Sequence, residues 1–115
     1  MSYQLAFWKY KTDGNHPHQK TYERLIEGEL TELTEALSIQ DLREEVKKAF
    51  TDGWTQLDQD TFEAKGKSFQ LFTTEHFALV DCGGMEGEEM NEFIDIGAKF
   101  DCRLYDPQTN QRYEG

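Results

Sequence analysis

Residues 68–73 and 76–82 are two runs rich in Phe, Leu, Val and Thr, with only Thr74-Glu75 between them. Side chains of that kind suit a pleated, half-buried surface, and a link this short joins strands only when they run antiparallel. The middle of the chain therefore reads as a β-hairpin. Phe69 and Leu71 share a face of its first strand, and Phe77 and Leu79 share a face of its second. The remaining segments have to pack around that hairpin.

Residues 3–10 supply a further strand. Tyr3, Leu5 and Phe7 alternate with Gln4, Ala6 and Trp8, and both sets hold apolar groups, so this strand is expected to be central and covered on at least one face. Asp13-Gly14-Asn15 then predicts a turn. From residue 18 to about 37, Tyr22, Leu25, Ile26, Leu30 and Leu33 recur at helical spacing. Gly28 weakens that stretch by about 1 kcal/mol relative to alanine and is a candidate break. Ser38 is a candidate N-cap with Asp41 three residues on, ahead of the stripe Ile39, Leu42, Val46, Ala49 and Phe50. Lys47 and Lys48 suit the last turn of that helix, and Asp52-Gly53 ends it. Residues 54–67 are polar apart from Trp54, Leu57, Phe62 and Ala64, and read as a loop with one short strand.

Gly83-Gly84 closes the hairpin. A helix is expected over residues 86–100, with Met90, Phe93, Ile94 and Gly97 on its buried face and Glu86, Glu88 and Glu89 in its first turn, where negative charge is favoured. Residues 102–105 form a last short strand before the Asp106-Pro107 turn, and 111–113 an edge segment. The order βα(α)ββαβ predicts an α+β fold in one acidic domain over residues 1–115. Its expected form is an antiparallel sheet with helices on one face, in the ferredoxin-like (split βαβ) arrangement. A length of 115 residues suits one domain, and 37% hydrophobic and 13% aromatic residues are enough to build a core.

The net charge of −11, from 23 acidic and 12 basic side chains, narrows the function. Such a field repels nucleic-acid phosphates and anionic lipid and draws in basic partners. The N-terminal apolar stretch is too short and interrupted for a signal peptide, and no run approaches a membrane span. With Cys82 and Cys102 alone there is no disulfide framework, so a cytoplasmic address with reduced thiols is expected.

Motifs that would carry chemistry are incomplete. His16-Pro17-His18 offers two imidazoles without the further ligands of a metal site. Asp58-Gln59-Asp60 opens like a calcium loop, but its glycine and terminal glutamate fall in the wrong places. Asp81 beside Cys82 and Asp101 beside Cys102 would raise thiol pKa values, which suits buried cysteines rather than nucleophiles. Gly83-Gly84-Met85-Glu86-Gly87 lacks the lysine of a phosphate loop, and the glutamates that follow would repel phosphate. Glu88, Glu92 and Asp95 stack on one helix face, a solvated surface or a dock for basic side chains. No catalytic residue, metal ligand or cofactor is assigned. Trp54 stands among polar neighbours, and Trp is enriched among interface anchors.

Several runs carry a resemblance. They are Tyr3-Gln4-Leu5-Ala6-Phe7-Trp8-Lys9-Tyr10, Phe72-Thr73-Thr74, Val80-Asp81-Cys82 with Gly84-Met85, Glu89-Met90-Asn91, Ile94-Asp95-Ile96 and Leu104-Tyr105-Asp106-Pro107-Gln108. Spread over most of the chain, they make it resemble small bacterial immunity proteins of polymorphic toxin systems, of the contact-dependent growth inhibition type. The resemblance implies a non-enzymatic inhibitor that binds a cognate toxin, often a nuclease with a basic cleft, and blocks its active site. Contact residues are then expected among acidic and aromatic side chains outside the core: Trp54, Asp58, Asp60 and Glu63, with Glu86, Glu89 and Tyr105 next. The competing readings are a small enzyme or ligand-binding domain, which requires a pocket around Cys82, His76 and Asp81, and a housekeeping interaction domain that pairs through a sheet edge.

Overall fold

The computed structural model describes residues 2–12 and 15–112. Asp13 and Gly14 of the expected turn, and Tyr113 of the expected edge segment, lie outside the described residues. In chain order the elements are β1 (Ser2–Trp8), α1 (His18–Ile26), α2 (Ile39–Ala49), β2 (Thr55–Gln56), β3 (Thr61–Ala64), β4 (Lys67–Thr74), β5 (Phe77–Gly83), α3 (Gly87–Lys99), β6 (Arg103–Asp106) and β7 (Gln111–Arg112). The strands form one antiparallel sheet in the order β2-β3-β4-β5-β1-β6-β7.

The hairpin read from the sequence is β4–β5, closing at Thr74↔Phe77. As expected, β1 is central, with Leu5 opposite Val80 and Ala6 opposite both Leu79 and Tyr105. Leu5, Ala6, Phe7 and Trp8 are all buried, as are Phe77, Ala78, Leu79 and Val80. Stretches apolar at every position, as residues 5–8 and 77–80 are, must be covered on both faces, and these are.

On one face α2 and α3 bury Leu42, Val46, Phe50, Phe93 and Ile96 against Leu5, Phe7, Phe62, Phe69, Leu71 and Val80. There the ring of Phe50 stacks on Phe93 at 4.8 Å. Helix α3 approaches β1 so closely that a Cβ on Gly97 would sit 2.6 Å from the Phe7 ring. On the other face α1 and the segment after it bring Leu25, Tyr22, Ile26 and Leu33 onto Ala6, Trp8, Phe77, Leu79 and Tyr105. The expectation of helices on a single face is thus corrected: α1 lies opposite α2 and α3. The second apolar set in β1 and β5 demands that cover.

Two further differences have local causes. The helix expected to reach residue 37 stops at Ile26, because Gly28 takes φ +89°. The Gly28 amide donates to the Leu25 carbonyl at 3.0 Å and the Glu29 amide to the Arg24 carbonyl at 3.1 Å. Those two bonds make a Schellman C-cap. The polar stretch 54–67 holds two short strands rather than one, with Phe62 as the buried residue of β3. Ser38 does stand immediately before α2, but its side chain makes no capping hydrogen bond.

Candidate partner-binding surface

The residues singled out as contacts separate into three places. The first lies where the β3–β4 turn meets the start of α3. Trp54 is half-buried, edge-on to Phe50 at 5.3 Å and tilted against Phe69 at 5.2 Å. The Lys67 ammonium lies 5.5 Å from the centre of its indole. Lys67 also forms an ion pair with Glu89, whose other oxygen accepts the Glu86 backbone N–H at 3.1 Å. Burial acts to raise the Glu89 pKa, and the Lys67 ammonium and the Glu86 amide outweigh it, holding the carboxyl below its usual range. Trp54, Lys67, Glu89 and Glu86 are therefore one connected patch. Glu63 stands near it on β3, opposite Thr55 and Ser68, and is exposed. Glu63, Lys65, Lys67 and Ser68 border an open hollow of about 550 Å³.

The second place is the β2–β3 turn. Asp58 accepts the backbone N–H groups of Asp60 and Thr61, both at 2.8 Å, and these donors lower its pKa. Asp60 is ion-paired with Arg43 of α2, which also donates to the Gln59 carbonyl at 2.9 Å and to the Thr73 hydroxyl at 3.1 Å. Nothing in the sequence marks Arg43 for this role. It clamps the turn to the hairpin, so the charges of Asp58 and Asp60 are engaged within the fold.

Tyr105 is the third. It is fully buried, packed 5.0 Å from Trp8 and 5.3 Å from Tyr22, with its hydroxyl donating to Asn110 at 2.8 Å. As a surface contact it is corrected: it fills the second core, because β6 turns Tyr105 to the same side as Ala6.

A feature missed at the sequence level is the uncovered part of the sheet. Alternation puts Thr61 and Glu63 of β3, Gln70 and Phe72 of β4, Asp81 of β5 and Gln4 of β1 on the α1 side, yet α1 packs on Ala6, Trp8, Phe77, Leu79 and Tyr105 and touches this set only at its border, where the Tyr22 hydroxyl donates to Gln4. Phe72 is 41% exposed there. The signal was present in the sequence, because any face opposite Phe69 and Leu71 must carry Gln70 and Phe72.

The pocket that an enzyme reading requires does not assemble. Cys82 points into the α2–α3 core while its neighbour Asp81 points to the other side. His76 sits at the opposite end of β5, hydrogen-bonded to Thr34 at 2.7 Å. Burial, with the Asp81 and Glu89 carboxylates adding to it, pushes the Cys82 thiol up to about 12. Burial likewise takes Cys102 to about 12. Neither presents a thiolate at neutral pH. His16 and His18 flank Tyr10, one stacked on its ring at 4.0 Å and the other hydrogen-bonded to its hydroxyl at 2.9 Å. Among the described residues no three His, Cys, Asp or Glu converge to hold a metal ion, and no helix is long and apolar enough to cross a membrane. No protein-family model, curated protein or solved structure matches this chain.

Proposed function

We propose that this chain is an immunity-type inhibitor. It acts in the cytoplasm, binding a cognate toxin domain of cationic character, of the nuclease class, and covering its active site with no bond made or broken by the chain itself. The observation that carries this reading is the charge of −11 together with where it sits. Glu63, Glu88, Glu92 and Asp95 are all exposed, and none has a cation within ion-pair distance among the described residues. Carboxylates held that way stand in for the phosphates that a nuclease cleft is built to receive, and they steer a basic partner toward encounter. The buried, protonated thiols fit a protein that works by contact.

We read β4-β5-β1-β6 with α2 and α3 as a ferredoxin-like split βαβ unit, to which β2, β3 and β7 add edges and α1 a second cover. The antiparallel order of those four strands, and the placement of α2 and α3 on the same face, support that reading.

The test is growth rescue. Expressed together with the product of the adjacent reading frame, this chain is expected to restore growth to cells that the product alone arrests, and to co-purify with it in equal amounts. Continued arrest with both proteins present sinks the reading.

A further inference from the structure

The uncovered half of the sheet is the place where a partner of the proposed kind fits. Asp81 lies at its centre, between Gln70 on one neighbouring strand and Gln4 on the other. Directly opposed side chains on antiparallel strands stand about 5 Å apart, so the carboxylate is flanked by two amides. It is half-buried and has no ion pair among the described residues; the group facing it from α1 is the Tyr22 phenol, whose pKa is raised by burial and, after that, by the Asp81 charge. Gln4 does not answer it: its side-chain oxygen accepts from the Tyr22 hydroxyl at 3.3 Å. Glu63 adds a second exposed carboxylate on the same face, two strands away, roughly 10 Å at ordinary strand spacing. No lysine or arginine occupies a position on this face of β3, β4, β5 or β1. Phe72, one pair along β4 from Gln70, offers exposed aromatic surface beside the carboxylate.

We propose that this face, centred on Asp81 and Phe72, is the docking surface for a cationic segment of the partner protein. An arginine of that segment lies over Asp81 within reach of the glutamine amides, and an apolar side chain rests on Phe72. Charge complementarity selects the occupant: a half-buried carboxylate without a cation gains most from a guanidinium, which brings its own fork of donors. This deepens the proposed function and rests on its premise of a basic partner.

The experiment is a nitrogen-15 NMR titration of the whole chain with a short amidated peptide of arginine and leucine at low salt. Amide shifts are expected in residues 61–63, 70–72 and 79–83. Asp81→Asn, an isosteric change on an uncovered face, is expected to weaken binding about fivefold. Glu44→Gln removes the same unit of charge from α2 and is expected to leave affinity within about twofold, and a well-dispersed spectrum of each variant shows that it folds. Shifts confined to α2 and α3, with Asp81→Asn binding as well as the parent, would overturn the surface and leave the cationic-partner reading standing. A peptide that binds nowhere overturns both. Shifts on this face that grow with protein concentration alone make the occupant a second copy and overturn the cationic segment.

Discussion

Asp106 shows how much a single side chain can hold. It is 2% exposed, and its carboxylate accepts from the Tyr3 hydroxyl at 2.6 Å, from the Gln108 backbone N–H at 2.9 Å and from the Gln108 side-chain amide. It thereby ties the start of β1 to the end of β6 and to the turn that follows. Burial acts to raise its pKa, and the donors outweigh burial, so the folded protein holds the carboxyl below its ordinary value. The unfolded chain then takes up this proton at a higher pH than the folded one. The stabilisation is complete above the ordinary carboxylate range, about pH 4, and is lost as pH falls through the lower folded value. Asp106→Asn is expected to cost about 1–3 kcal/mol at neutral pH, the scale of a buried polar group deprived of good partners. The deficit should shrink when urea unfolding is repeated near pH 3. A deficit of equal size at both pH values would mean that the ionised carboxylate is not its source.

At the scale of elements, two glycines separate backbone geometry from packing. A Cβ at Gly28 would meet nothing within 4 Å, so its requirement lies wholly in φ +89° at the end of α1. Gly28→Ala is expected to cost about 1 kcal/mol. Gly97 has ordinary backbone, but its missing Cβ is where the Phe7 ring lies, and Gly97→Ala should cost about 1–3 kcal/mol through overpacking. Shortening the ring by making Phe7→Leu in the Gly97→Ala background should recover part of that loss in thermal melts, with no such recovery in the Gly28→Ala background. The same contrast explains what was legible beforehand. β1, β4, β5, α2 and α3 announce themselves because each carries its own period, in Leu5 and Phe7 or in Leu42 and Val46. The side of the sheet that α1 takes is a matter of which apolar set lacks a cover. That is decided between Leu25 and Phe77, residues 52 positions apart in the chain. β2 and β3 were faint because Phe62 is the buried residue of β3 and the rest of that hairpin is held by Asp58, Asp60 and Arg43. The candidate site was half legible: an acid-rich exterior is countable from composition, but which carboxylates are already spent on Arg43 or Lys67 depends on contacts made across the fold.

For the whole molecule the controlling quantity is the field of eleven net negative charges on a body whose Cα atoms have a radius of gyration of 13.6 Å. Internal pairs such as Lys9–Glu35, Arg24–Glu29 and Lys99–Glu45 cancel locally and contribute little at a distance. The excess of carboxylates remains and acts over the Debye length, about 10 Å at 0.1 M salt and about 3 Å at 1 M. Encounter with a cationic partner is therefore expected to be fast at low ionic strength, on the order of 10⁸ M⁻¹s⁻¹, and to fall by at least about tenfold between low and high salt. Dissociation is governed by short contacts inside the interface and should change far less. Stopped-flow mixing of this chain with the proposed toxin partner, repeated across sodium chloride concentrations, separates the two rates. An association rate indifferent to salt would show that the partner is captured by shape and apolar contact, leaving the acidic exterior to serve solubility alone.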